Sequence, residues 1–253
     1  MLTANRSDIG KIRQINEDYS WVGELAGGVT LAVIADGMGG HQAGDVASRV
    51  AVESLVESVE AAIGDGSYSE EEGSLLIRNA MEKANDTVYR LAAQNDRYYN
   101  MGTTLIAALV RGGRAIIGHI GDSRVYLIDS AGIRQLTDDH SLVAELLRSG
   151  QISQEEAARH PRRNVISRAV GTDEKVEADV IIAELEPLAV LLLCSDGLTT
   201  MVDDDRILET VGDSQTDLSA KAERLIELAL HAGGDDNVTV VLLQEEAGTE
   251  REV

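Results

Sequence analysis

Short, largely apolar runs along this chain are separated by longer segments in which apolar residues recur every third or fourth position. The runs Leu31 to Ala35, Thr104 to Val110, Ala115 to Ile120, Arg124 to Ile128, Val190 to Cys194 and Val238 to Leu243 are rich in β-branched or aliphatic residues, which predicts strands. Ala47, Ala51, Leu55, Val59 and Ala62 share one helical face, as do Ile77, Met81, Ala84, Val88 and Leu91. Leu218, Ala222, Leu225 and Ala229 form a third such stripe. A helix with one apolar face needs a layer to bury it against, so these helices are expected to cover a sheet.

Helices and strands do not alternate strictly. Between Thr104 and Ile128 three strands are joined by Arg111-Gly112-Gly113 and Gly121-Asp122-Ser123, both tight-turn sequences, which implies antiparallel neighbours. His140 to Gly171 is polar and helical with Pro161 in its middle, and reads as an excursion from the main layers. No internal repeat is evident. One domain is expected over residues 1–246, with 247–253 as a frayed tail.

Composition narrows the class. With 3% aromatics and no Phe, the core must be built from Val, Leu, Ile and Ala, which suits an α/β or α+β protein. The 44 acidic residues against 22 Lys and Arg give a formal charge of -22, a field that repels nucleic-acid backbones and anionic membranes. Cys194 is the only cysteine, so there is no intrachain disulfide or thiolate metal cluster. Met1 to Arg6 lacks the apolar run of a signal peptide, and no run is long enough to span a membrane. A soluble, cytoplasmic protein is expected.

The placement of particular acids changes the picture further. Asp36 follows Leu31 to Ala35, Asp196 follows Val190 to Ser195, and both are followed by Gly. Asp236 precedes the run from Val238, so if that strand lies antiparallel to the one before Asp196, both carboxylates emerge at one edge of a sheet. Asp122 sits in a turn between strands, and Glu17-Asp18 lie near the N-terminus. Acids gathered that closely take up protons unless a cation neutralises them. All-oxygen ligation suits Mg²⁺ or Mn²⁺ rather than zinc, and two such ions ~4 Å apart can acidify a shared water. Taken singly, each Asp-Gly pair reads equally well as an ordinary turn. The glycine-rich stretch from Asp36 to Gly44 lacks the Gly-Lys-Ser/Thr ending of a nucleotide-binding loop.

These residues fall in seven ordered motifs, Gly10 to Asp18, Ala35 to His41, Met101 to Thr104, His119 to Arg124, Thr137 to Ser141, Cys194 to Thr199 and Gly233 to Thr239. Together they resemble the metal-dependent protein phosphatases of type 2C in their short bacterial form. The resemblance implies an α+β fold: a central sandwich of two antiparallel sheets flanked by helices, with the metals in a cleft at one end and a flap subdomain at about 140–171. It implies hydrolysis of phosphoserine and phosphothreonine on proteins at a centre of two Mn²⁺ or Mg²⁺ ions plus a weaker third. By the same carry-over Asp36 bridges the core ions, the Gly37 carbonyl adds a ligand, and Asp196 and Asp236 hold the first ion. Glu17 and Asp18 serve the second directly or through its waters, and Asp122 with Asp196 holds the third. Asp235 is then a bystander.

Arg13 is implied as the phosphate-binding residue, since a guanidinium fork matches two phosphate oxygens; a surface salt bridge is the plainer reading. His41 resembles the family's candidate general acid, although it lies three residues further past the Asp-Gly pair than in eukaryotic members. A supporting hydrogen bond is the alternative. His140 reads as structural. Arg159, Arg162 and Arg163 bring cations to the flap, either to attract phosphorylated segments or as a solvated helix face. The implied partners are phosphorylated proteins and an opposing serine/threonine kinase, with the chain itself a monomer. A cysteine-based phosphatase is disfavoured because Thr200, not Arg, lies six residues after Cys194, and Asp36-Gly37-Met38 is not an Asp-x-Asp nucleophile motif. A pseudophosphatase, or the same chemistry on a small phosphoester, are the competing functions.

Overall fold

The apolar runs are continuous because their strands are covered on both faces. A computed structural model of the chain describes residues 1–39 and 43–246. Among these, β1 (Leu2–Asp8), β11 (Val238–Gln244), β10 (Val190–Cys194), β7 (Arg124–Asp129) and β8 (Gly132–Gln135) form one sheet in that order. A second sheet runs β2 (Asp18–Leu25), β3 (Val29–Met38), β5 (Leu105–Arg111), β6 (Arg114–Ile120) and β9 (Asp179–Glu184), with the two-residue β4 (Gly102–Thr103) paired to the end of β3. All pairings are antiparallel.

Alternate side chains divide three aliphatic layers. Ala32, Ile34, Ile106, Ile117, Val125, Leu127, Leu191, Leu193 and Val241 fill the space between the sheets. Their neighbours in sequence point outward. On one side Leu31, Val33, Leu105 and Ile116 meet α1 (Gly44–Ala62) and α2 (Glu70–Gln94). On the other, Leu192, Val240 and Leu242 meet α6 (Asp204–Gly212) and α7 (Leu218–Ala232). The sandwich flanked by helices is therefore as expected, and aliphatic packing builds it. Tyr126 is the one aromatic among its largest fully buried side chains.

Several boundaries differ from the sequence expectation. β1, β2 and β8 have no sustained apolar run, and β9 has only Val180 to Ala183, because each is an edge strand and keeps many side chains in contact with water. β3 continues to Met38, so Asp36 lies within a strand rather than after it. Thr104 sits in the break between β4 and β5, where its N–H bonds the Asp36 carbonyl at 2.9 Å. The Gly112-Gly113 turn is a two-residue hairpin with both φ angles positive, 58° and 76°, which glycine alone adopts without strain.

After β8 the chain leaves the sheets, forms α3 (Leu142–Arg148) and α4 (Gln154–Ala158), and returns through an isolated bridge between Ser141 and Ile166. A short helix α5 (Asp196–Thr199) follows β10 directly. No helix among the described residues is long and apolar enough to cross a membrane. The expected tail, 247–253, and His41 lie outside the described residues.

Candidate metal centre

Asp18 and Asp36 are register partners on adjacent strands, one opening β2 and the other near the end of β3. Asp36 is fixed through its backbone: its N–H donates to Thr104 Oγ1 at 2.9 Å and its carbonyl accepts from Thr103 Oγ1 at 2.8 Å. Thr104 Oγ1 also bonds Ser123 Oγ at 2.8 Å, tying this strand to the turn that carries Asp122. The same end of the other sheet supplies Asp196 and Asp236. β10 and β11 are antiparallel, with Cys194 opposite Val240, so Asp196, two residues past one strand, and Asp236, two residues before the other, emerge at the same end. A Cβ on Gly197 would run into the Asn237 carbonyl, so the chain passes here only as glycine.

Asn237 organises the N-terminal loop. Its Oδ1 accepts from Glu17 N at 2.8 Å, while its Nδ2 donates to the carbonyls of Ile9 at 2.9 Å and Ile15 at 3.0 Å. Closing the loop in this way presents Arg13, whose guanidinium donates to Asp236 Oδ2 at 2.7 Å and is 46% exposed. The salt-bridge reading of Arg13 is thus realised within the acidic cluster itself. Asp235 is exposed.

The carboxyls disturb one another. Burial, then repulsion from Asp18, Asp196, Asp122 and Asp236, holds the Asp36 carboxyl well above its usual range. Burial also pushes Asp18 to about 7, against hydrogen bonds from Thr239 and Ser195, with Asp196 and Asp236 adding repulsion. Asp122 is pushed to about 7 by burial, Asp196 and Asp139. Asp196 and Glu17 are raised as well, burial leading in both. A site that resists carrying its own negative charge favours a cation.

The donor set fits a hard divalent ion. Asp18 Oδ1 is buried with no hydrogen-bond partner among the described residues, and so is Asp45 Oδ1 in the first turn of α1 beside Glu17. As the side chains stand, no group of three or more His, Cys, Asp or Glu among the described residues is placed to hold a metal ion. An open arc of carboxylate oxygens suits Mg²⁺ or Mn²⁺, which keep several waters, better than zinc.

Beside the arc lies a cavity of about 490 Å³, with Asp122, Asp139 and Asp196 on one side and Val143, Leu147, Ala157 and Arg163 of the α3–α4 excursion on the other. A cavity of about 580 Å³ between α6 and α7 contains none of the sequence-predicted residues. Its arginines are neutralised locally, Arg206 by Glu209 and Arg224 by Glu227.

Residues 11–231 match the family described as Protein phosphatase 2C. A serine/threonine phosphatase of Listeria welshimeri is 42% identical over 239 residues, 94% of each chain. The solved serine/threonine phosphatase of S. agalactiae has a TM-score of 0.91 at 38% identity, covering 97% of this chain and 99% of that one. The catalytic domain of the phosphatase PstP, solved in complex with two manganese ions, has a TM-score of 0.82 at 36% identity, covering 95% and 96%. The chain belongs to the protein phosphatase 2C family. It is an enzyme, a phosphatase whose fold is the family's two-sheet sandwich.

Within this phosphatase 2C chain, the residues that sequence reasoning missed are those that hold the acids. Ser195, Thr239, Asn237, Thr103 and Thr104 are all buried and polar. Ser195, Asn237 and Thr239 lie within three residues of a predicted acid in the quoted motifs, whereas Thr103 and Thr104 fall in a motif without acids and reach Asp36 only through the fold. Asp45 gave none, since an acid in a helix's first turn is ordinary.

Proposed function

We propose that this phosphatase hydrolyses phosphoserine and phosphothreonine on proteins at a metal-dependent centre built from the arc of acids. The observation that carries the reading is the set Asp18, Asp36, Asp122, Asp196 and Asp236, mutually repelling at one end of the sandwich beside a single half-exposed Arg13. In this reading Asp36 and the Gly37 carbonyl would serve both core ions. Asp196 and Asp236 would hold the first, Glu17 and Asp18 would serve the second directly or through its waters, and Asp122 with Asp196 would hold a weaker third. Bound there, Mn²⁺ or Mg²⁺ would neutralise the carboxylates and acidify a water for attack on phosphorus.

The chain's own groups supply position. Arg13 turns from Asp236 to the phosphate, whose two oxygens match its planar fork. Asn237 limits how far that loop can move. The cavity between the acids and α3–α4 takes residues flanking the phosphorylated side chain, so residues 140–171 act as the flap of one catalytic domain spanning 1–246. The leaving alkoxide needs a proton, and His41 is the candidate donor.

Turnover of phosphopeptides and of phosphorylated metabolites, each with Mn²⁺ and after chelation, tests the reading. Metal-dependent release from peptides, well above that from metabolites, is expected. Undiminished release after chelation would overturn the metal centre, and a preference for metabolites would overturn the protein substrate.

A further inference from the structure

The motif Thr137 to Ser141 supplies no group to the acidic arc, yet Thr137, His140 and Ser141 are buried. Its polar atoms converge on one target. Thr137 Oγ1 accepts from Val125 N at 3.1 Å. Asp139 takes the Arg124 guanidinium on both oxygens, at 2.9 Å from Nε and 2.8 Å from Nη2. His140 N donates to the Gly121 carbonyl at 2.8 Å, and Gly121 N donates back into His140 Nδ1 at 3.1 Å. The residues gripped lie on both sides of Asp122.

Gly121 needs that grip. Its φ of 111° lies where glycine is freest, so its backbone does little to determine the direction in which Asp122 leaves the turn. Thr104 closes the other side, since a Cβ on Gly121 would stand 2.6 Å from Thr104 Cβ. Without His140 Nδ1 the buried Gly121 N–H would lack an acceptor.

The same contacts assign the tautomer. Nδ1 accepts, so it carries the lone pair, and Nε2 carries the proton. That proton points to Asp179 Oδ2 at 3.1 Å, and Asp179 also accepts from Arg168 at 3.0 Å. The His140 carbonyl accepts from Ser167 N at 2.8 Å, so one residue joins the Asp122 turn, the start of β9 and the returning arm of the α3–α4 excursion. The buried ring of His119 packs against it with centroids 4.6 Å apart.

We propose that His140 is a positioning residue for Asp122, acting through Nδ1 on the Gly121 peptide, with Nε2–H anchoring the ring to Asp179. The consequence for cation binding rests on the reading of Asp122 as a ligand of the weak third ion. The two nitrogens can be separated by substitution. His140→Asn keeps an acceptor near Nδ1 and loses Asp179; His140→Gln keeps a donor near Nε2 and leaves Gly121 N–H unpaired.

Two measurements on the full chain test this. In metal-free protein, ring ¹⁵N shifts should show a neutral Nε2–H imidazole at His140. Exchange of the Gly121 amide should be slow in wild type and His140→Asn, and faster by about tenfold or more in His140→Gln. In calorimetric Mn²⁺ titration, His140→Gln should weaken only the weak site, by about tenfold, while His140→Asn stays near wild type. Unchanged Gly121 exchange in His140→Gln, or equal weakening in both variants, would overturn the positioning role. Absence of a weak Mn²⁺ site from wild type would overturn the reading of Asp122 as a ligand, and with it the cation consequence. Gly121 exchange would still decide the role of Nδ1.

Discussion

Ser195 Oγ donates to Asp18 Oδ2 at 2.7 Å, joining the end of β10 in one sheet to the start of β2 in the other. The same hydroxyl accepts from Thr239 N at 3.0 Å, and both Ser195 and Asp18 are buried. Ser195→Ala would leave the Thr239 N–H without its acceptor and take from Asp18 one of its two hydroxyl donors, Thr239 being the other. We predict a loss of about 1–3 kcal/mol in metal-free urea unfolding. An unchanged midpoint would mean the two sheets are not joined through this hydroxyl.

Asp36→Asn should act on stability and chemistry in opposite directions. Removing one charge from a group of repelling carboxyls relieves the folded state, so the metal-free variant is expected to melt above wild type. Phosphopeptide turnover at saturating Mn²⁺ should disappear, because Asp36 is the carboxylate proposed to lie between both core ions. Calorimetry and a Mn²⁺-supplemented assay check the pair. A folded variant with near wild-type turnover would remove the two-ion reading.

A pH dependence follows from the raised carboxyls, with the sign set by linkage. Asp18 and Asp122 stand at about 7 in the folded chain against 3.8 for a free aspartate. Between those values the unfolded chain has released protons that the folded chain retains, so stability falls as pH rises. The contribution is fully present below pH 3.8 and is lost by about 7. Relative to Asp122→Asn, metal-free wild type should therefore lose stability on going from pH 4 to 7. A difference that grows in wild type's favour with rising pH would contradict the assignment.

The division between what was readable and what was not follows burial. Val190 to Cys194 and Val238 to Leu243 were legible because both faces of their strands are covered, leaving Thr239 as the one polar residue in either run. β9, with Ile182 43% exposed at the sheet edge, carries only the shorter run Val180 to Ala183 between two acids. Asp196 and Asp236 were placed together correctly because strand ends and antiparallel pairing suffice to bring them to one edge. The clamps by Asn237 and His140 were not derivable from spacing. They depend on loop closures between residues such as Glu17 and Asn237, far apart in sequence and joined only by the fold.

Arg13→Ala separates binding from metal loading. The guanidinium now meets Asp236 Oδ2 at 2.7 Å in a half-exposed pair, a contact of small net value in water. Its proposed worth lies in holding phosphate oxygens, so KM for phosphopeptides should rise by about tenfold and kcat should fall. Mn²⁺ affinity at the tight sites should change little. Loss of tight metal with KM unchanged would assign Arg13 to the acids rather than to the substrate.

Asp122→Ala is predicted to keep the two core ions and lose most phosphopeptide turnover. Asp122 reaches the arc from the Gly121–Ser123 turn, apart from the strands that carry Asp18 and Asp36, and of the proposed ligands it shares only Asp196 with its ion. A site with two protein carboxylates and several waters binds weakly, because charge count and rigidity tune the affinity for hard cations. Its loss should therefore leave the tight sites intact. Such an ion would help orient a water or proton donor toward the leaving alkoxide, a contribution made in the transition state and not in holding the fold. Removing Asp122 also takes away one of the charges that press on Asp36, so metal-free stability should rise even as catalysis falls. Calorimetric Mn²⁺ titration, thermal unfolding and kcat on the same variant test the three parts together. Weakened tight binding would place Asp122 among the core ligands, and an undiminished kcat would remove the third ion from the reaction.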